Sequence, residues 1–153
     1  MEIIKKKRNR RIWLENYKEG QNVSFPFKQQ PFVCMVWNKK DNFVSSSLIE
    51  QLIKTKCKYL ITGGVNCDKW HDLADKLMLK LIYNNVYPNS DVPDHEFVMT
   101  TSCAQSLKQV IFHGLNCTDF GNHKFRDYLI IQIDTKFSKQ DILKLINDND
   151  LME

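Results

Sequence analysis

The chain has 153 residues, 42% of them hydrophobic and 26% charged, with a formal net charge of +4. That size and balance suit one well-buried core and exclude two full domains. No run approaches the roughly 18 apolar residues needed to span a bilayer, and the charged start lacks the apolar stretch of a secretory signal, so a cytoplasmic protein without membrane contact is expected.

The five cysteines, Cys34, Cys57, Cys67, Cys103 and Cys117, form no C-x-x-C pair, and an odd number cannot all pair within one chain. Reduced thiols are expected, and a structural zinc site is not. The positive charge is concentrated at the start, where Lys5, Lys6, Lys7, Arg8, Arg10 and Arg11 face Glu2 alone. Such a block either stays solvated or attracts RNA or DNA through counterion release, without sequence preference. Residues 1–30 read as this basic arm and a connection, and residues 31–153 as a single domain.

In chain order, Trp13, Leu14 and Tyr17 would anchor the end of the arm, through a short helix closing near Gly20. Phe25 and Phe27 pack the connection. Pro31 to Trp37, PFVCMVW, is nearly continuous apolar and β-rich, the pattern of a strand buried on both faces. Ser47 and Glu50 have capping-box spacing, which predicts a helix from about Ser46 to Lys56. Cys57 to Thr62 reads as the second buried strand, broken by Gly63-Gly64. Asn66 or Cys67 then caps a helix whose apolar positions Trp70, Leu73, Ala74, Leu77 and Leu81 recur at helical spacing. Asn84 to His95 is rich in turn formers and reads as the longest loop. Glu96 to Thr100 reads as the third strand, followed by Thr101-Ser102 as the cap of a helix ending at Gly114. Tyr128 to Ile133 is the fourth strand, and Ser138 with Asp141 opens the last helix.

Strands alternating with helices imply a three-layer α/β fold, a mainly parallel four-stranded sheet with helices on both faces. The flavodoxin-like, Rossmann-like order 2-1-3-4 is the preferred one for so short a chain. The loops at the carboxyl ends of the strands would then gather Asn38, Asp41, Gly63, Gly64, Asn66, Thr100, Thr101, Ser102 and Asp134 into a polar rim able to hold a ligand. The glycine pair lacks the spacing of a nucleotide fingerprint and reads first as a tight turn, so no cofactor is expected. His71 and Asp75 share a helix face, the preparation a general base needs, and equally the geometry of an ordinary surface pair. Cys103 falls near a helix start, where a thiolate is favoured, although most cysteines are small core residues. His95, His113 and His123 have no recognisable ligand spacing, so no metal is expected.

Val36-Trp37, the Trp70-His71-Asp72-x-x-Asp75 segment and Met99-Thr100-Thr101 together resemble a family of small bacterial α/β proteins with no established activity. The likeness covers roughly Pro31 to Asp134. It implies the fold and the site location more than a reaction. Where that family continues with Trp-His, this chain has Ser102 and Cys103, so any site needing that histidine is incomplete here.

The leading expectation is a non-enzymatic accessory or partner-binding protein of a bacterial cytoplasm, of the size common among immunity and defence-associated proteins. A small hydrolase or transferase using Cys103 or the His71 and Asp75 pair is the first alternative. Nucleic-acid binding through the basic arm is the second.

Overall fold

A computed structural model describes residues 1–7, 9–84, 98–103, 106–118, 124–135 and 137–148, with only the backbone described at Tyr83, Asn84 and Cys103. The elements run β1 (Glu2–Lys7), β2 (Arg10–Asn16), β3 (Phe32–Asn38), α1 (Ser46–Lys54), β4 (Cys57–Gly64), α2 (Cys67–Met78), a π-helical turn (Leu79–Asn84), β5 (Met99–Cys103), α3 (Leu107–Asn116), β6 (Asp127–Ile133) and α4 (Lys139–Asp148). The six strands form one sheet in the order β1-β2-β6-β3-β4-β5. Among the described residues, only the β1–β2 pair is antiparallel.

Every residue of β3 and of β6 is buried, as continuous apolar runs require when both faces of a parallel sheet are covered. Alternation sorts their side chains: Phe32, Cys34 and Val36 enter one core with Leu48, Leu52, Trp70 and Ala74 of α1 and α2. Val33, Met35 and Trp37 enter the other with Val110 and Ile111 of α3 and Ile142 and Ile146 of α4. Full burial of a side chain such as Phe32 or Leu52 contributes about 1.5–3 kcal/mol. Phe27, in the connection 17–31, packs against Phe32 with ring centroids 4.3 Å apart and the planes tilted by 41°, so that connection closes part of the first core.

The strand order corrects the expected one. The four anticipated strands are β3, β4, β5 and β6, and they lie as 4-1-2-3 rather than 2-1-3-4. Two crossovers carry the chain outward from β3 through β4 to β5, and the third returns it over the opposite face to place β6 beside β3. Composition explains the choice. Five-residue β5 carries Thr100, Thr101 and Ser102 and leaves Met99 exposed, which an edge tolerates, whereas β6, fully buried with Leu129, Ile130 and Ile131 at its centre, needs a neighbour on both sides.

The basic segment is likewise no free arm. It is the β1–β2 hairpin, and β2 adds to β6 in parallel. Ile12 and Leu14 alternate with Arg11 and Trp13, a period of two that puts the aliphatic pair in the second core, and no helix forms before Gly20. β4 continues through Gly63-Gly64 instead of breaking there, pairing with Trp37 and Asn38. Ser45 caps α1 in place of Ser47, its hydroxyl accepting from Leu48 N, and Ser106 caps α3 in place of Thr101 or Ser102. The third strand starts at Met99, and the expected loop 85–95, Glu96, His95 and His123 lie outside the described residues. Gly114 sits inside α3, where an added Cβ would overlap the Met35 side chain.

Candidate functional site

The chain reverses its direction of travel at β3, with α1 leaving on one face and α3 returning on the other to reach β6. In open α/β sheets such a reversal leaves a crevice outside the carboxyl ends of the strands. Two adjoining cavities occupy that position, of about 420 and 490 Å³, and share Asp134 and Thr135. The first extends to Asn16 and Tyr17 at the end of β2, Lys40 and Phe43 after β3, and Gln132 in β6. The second is walled by Lys39 together with Phe137 and Asp141 at the start of α4.

The charges here are mixed. Lys40 Nζ pairs with Glu19 at 2.7 Å and lies 4.8 Å from the centre of the Phe43 ring. Lys39 Nζ lies 5.7 Å from the Trp37 ring. Asp134 turns the chain after β6 with a left-handed φ of 51°. Gln132 is 2% exposed, and its Nε2 donates to Asn16 Oδ1 at 3.2 Å and to Phe137 O at 3.3 Å. Its Oε1 is buried with no hydrogen-bond partner among the described residues.

Of the expected rim, Asn38 is a structural clamp. It is fully buried, its Nδ2 reaches the carbonyls of Lys40 (3.0 Å), Phe43 (3.3 Å) and Val65 (2.9 Å), and its Oδ1 accepts from Lys40 N at 3.0 Å. One side chain thereby ties the β3–α1 and β4–α2 loops together, with both of its amide protons committed to the backbone. Gly64 is dictated by the same contact, since its φ is 82° and a Cβ there would overlap the Asn38 carbonyl oxygen. Gly63 pairs with Trp37, and Asp41 lies exposed in the turn after β3. Asn66 stands at the N-cap of α2 in left-handed conformation without a side-chain cap bond. Thr101 and Ser102 stand in β5 opposite Ile61 and Thr62.

His71 and Asp75 do meet, and Thr100 joins them. The Thr100 hydroxyl donates to Asp75 Oδ1 at 2.6 Å and lies 3.2 Å from His71 Nε2. With its one proton on Asp75, the hydroxyl can only accept from the histidine, so the network places a proton on Nε2. His71 Nδ1 then faces Asp72 and Asp75, each at 3.7 Å. The trio fastens edge strand β5 to α2, with β4 and β3 standing between β5 and the crevice side of β6. Cys103 closes β5 opposite Gly63 rather than opening a helix, about 10 Å along the strand from Thr100, and its side chain lies outside the described residues.

Burial drives the Cys34 thiol well above its usual pKa and pushes that of Cys57 up to about 12, while burial and then the Asp68 charge raise that of Cys67. These are core thiols with little thiolate at neutral pH. Burial lowers the pKa of His113, which lies 3.5 Å from the Tyr59 hydroxyl. Among the described residues no three His, Cys, Asp or Glu side chains cluster to hold a metal, and no helix is long and apolar enough to cross a membrane.

The arm cations are largely engaged in the fold. Arg11 pairs with buried Asp127 at 2.7 Å, which also accepts from Trp13 Nε1 at 2.7 Å. Lys5 donates to Asn147, and Arg10 lies over the Tyr128 ring. Lys6 and Lys7 are on the outer strand, and Arg8 lies outside the described residues.

Sequence reasoning did not bring Asn16 and Tyr17 to Gln132 and Thr135 because it detached the first 30 residues from the domain. The available signal was Gln132 itself, a lone amide in the otherwise apolar run YLIIQI.

The fold and crevice define an open α/β domain with a mixed-charge cleft at its switch point. The chain belongs to the family described as domain of unknown function DUF7684, whose model matches residues 12–149. No curated protein and no solved structure matches it.

Proposed function

We propose that the protein is a non-catalytic binding module and that its recognition site is the crevice at the carboxyl ends of β2, β6 and β3. The observation that carries this reading is the convergence of two cavities on Asp134 and Thr135 at the reversal of chain direction. Concavity, aromatic walls and a few polar groups of both signs suit recognition of a partner. The test is affinity capture from cells of the native host, comparing the wild type with Lys18→Glu/Thr135→Val, both of which line the first cavity, and with His71→Gln. The crevice variant is expected to lose a captured partner that His71→Gln retains. Retention by the crevice variant, with loss in His71→Gln, refutes the reading.

A second reading rests on the Thr100 network. A hydroxyl 2.6 Å from a carboxylate is placed to be deprotonated by it, which would make Thr100 the nucleophile and Asp75 the base of a small hydrolase or transferase. Turnover of activated esters that vanishes in Thr100→Val and Asp75→Asn supports this alternative; equal background rates in wild type and variants remove it. Selective labelling of Cys103 at neutral pH, no faster than that of a free thiol, removes the cysteine form of the same idea.

A further inference from the structure

At the amino edge of the sheet, the end away from the crevice, lies a further cavity of about 480 Å³. Its walls come from the close of α1, the start of β4, the π-helical turn and Val98 just before β5. Lys54, Lys56 and Lys58 line it, and among the described residues no acidic side chain does. Glu50, which meets Lys54 at 3.6 Å, stands outside the lining. The crevice mixes both signs of charge, whereas here three like charges add to one field.

Two departures from regular backbone geometry accompany the lysines. Lys56 follows α1 with a left-handed φ of 70°, a conformation that glycine or asparagine adopts at lower cost. Lys58 is skipped by the strand register, since Phe32 pairs with Cys57 and Val33 with Tyr59. A bulge of this kind re-aims a side chain. Lys58 is only 5% exposed and still forms part of the cavity wall. Three ammonium groups around one partly enclosed space favour an anion within it. The wall beside them is aliphatic, formed by Leu81 and by buried Ile82 and Val98. Such a surface suits an alkyl chain better than a planar base, whose faces call for aromatic partners.

We infer that this cavity binds a small amphipathic anion, its charged head among Lys54, Lys56 and Lys58 and its alkyl chain against Leu81, Ile82 and Val98. The ligand is a free small molecule, and its site is separate from the crevice.

The experiment follows amide shifts of the full chain by nuclear magnetic resonance during titration with octanoate, octyl phosphate, acetate and octylammonium. Saturable shifts at Lys56, Lys58, Leu81 and Ile82 are expected with octanoate or octyl phosphate, and roughly tenfold weaker binding with acetate and octylammonium. The tighter of the two octyl anions identifies the head group. Lys58→Met, which keeps an unbranched stem and removes the charge, is expected to weaken anion binding roughly tenfold while its melting profile stays cooperative. Should that variant lose its fold, Lys54→Gln/Lys56→Gln, at more exposed positions, is expected to show a similar loss. Equal binding of octanoate and octylammonium overturns the selection of an anion, and equal binding of acetate and octanoate overturns the role of the aliphatic wall. Unchanged affinity in the lysine variants, shifts confined to other surfaces, or none with any probe overturn the site. Each of these results leaves partner capture at the opposite edge unaffected.

Discussion

Replacing Asn38 by Asp tests the clamp at the centre of the carboxyl edge. The substitution keeps shape and removes both amide protons, which now meet the carbonyls of Lys40, Phe43 and Val65 at 2.9 to 3.3 Å. A neutral carboxyl still donates one hydrogen bond there, so the cost in acid is about 1–2 kcal/mol. An ionised one would be fully buried against three carbonyl oxygens, which raises its folded pKa above the unfolded value of about 3.9. The folded state then holds the extra proton, and stability falls as pH climbs between the two values, remaining low above the folded one. An upward displacement of about three pH units adds about 4 kcal/mol of loss at pH 7. Urea unfolding of wild type and variant between pH 3.5 and 8 reads this directly. A deficit that is the same at both ends of that range would refute the placement of the amide protons.

Five other substitutions probe the remaining arguments. Gly64→Ala combines a left-handed φ with overlap on the Asn38 carbonyl, whereas Gly20→Ala has φ 78° and open space. The first is expected to lose about 3 kcal/mol or more and the second about 1–2, so equal losses in chemical denaturation count against the close approach. Thr100→Val removes two hydrogen bonds and is expected to cost about 1–2 kcal/mol, with faster hydrogen exchange in β5 and α2; unchanged exchange contradicts the tie. His113 has its pKa lowered by burial, so the unfolded state takes up its proton first and stability drops as pH falls through and below about 6.5. His113→Gln should flatten that acid loss, and an identical slope in the two proteins argues against it. Hydrogen bonds from Ser138 hold the Asp141 carboxyl below its usual range, a contribution present above the unfolded value and lost as pH falls through the folded one. Carboxyl titration by nuclear magnetic resonance is expected to show Asp141 moving upward in Ser138→Ala.

The architecture from β3 to α4 was legible because its signals are local. Apolar runs at Phe32–Asn38 and Asp127–Ile133, and helical spacing at Trp70, Ala74 and Leu77, need no knowledge of distant partners. Strand order was not legible, since it depends on which strand tolerates an exposed edge, and that emerges only when all candidates compete. The hairpin escaped notice because five of the residues in its two strands are lysine or arginine at positions where alternation, not composition, carried the information. Its outer strand, with Lys5, Lys6 and Lys7, has the charge that discourages pairing with a second sheet, a physical reason for the basic block that requires no nucleic acid. Helix spacing alone brings His71 to Asp75, whereas the partner of Gln132, Asn16, is identified only once β2 lies beside β6.

The position of β6 also has a consequence for biosynthesis. Trp13 and Asp127 bond across 114 residues of chain, and the strand filling the space between β2 and β3 is made after both. During translation the β1–β2 hairpin has no sheet to join, and β3 presents a bare flank on the side that β6 later fills. The nascent chain must therefore shield two open strand edges until β6 emerges, and that interval is where a chaperone would act and where a stalled or truncated product would aggregate.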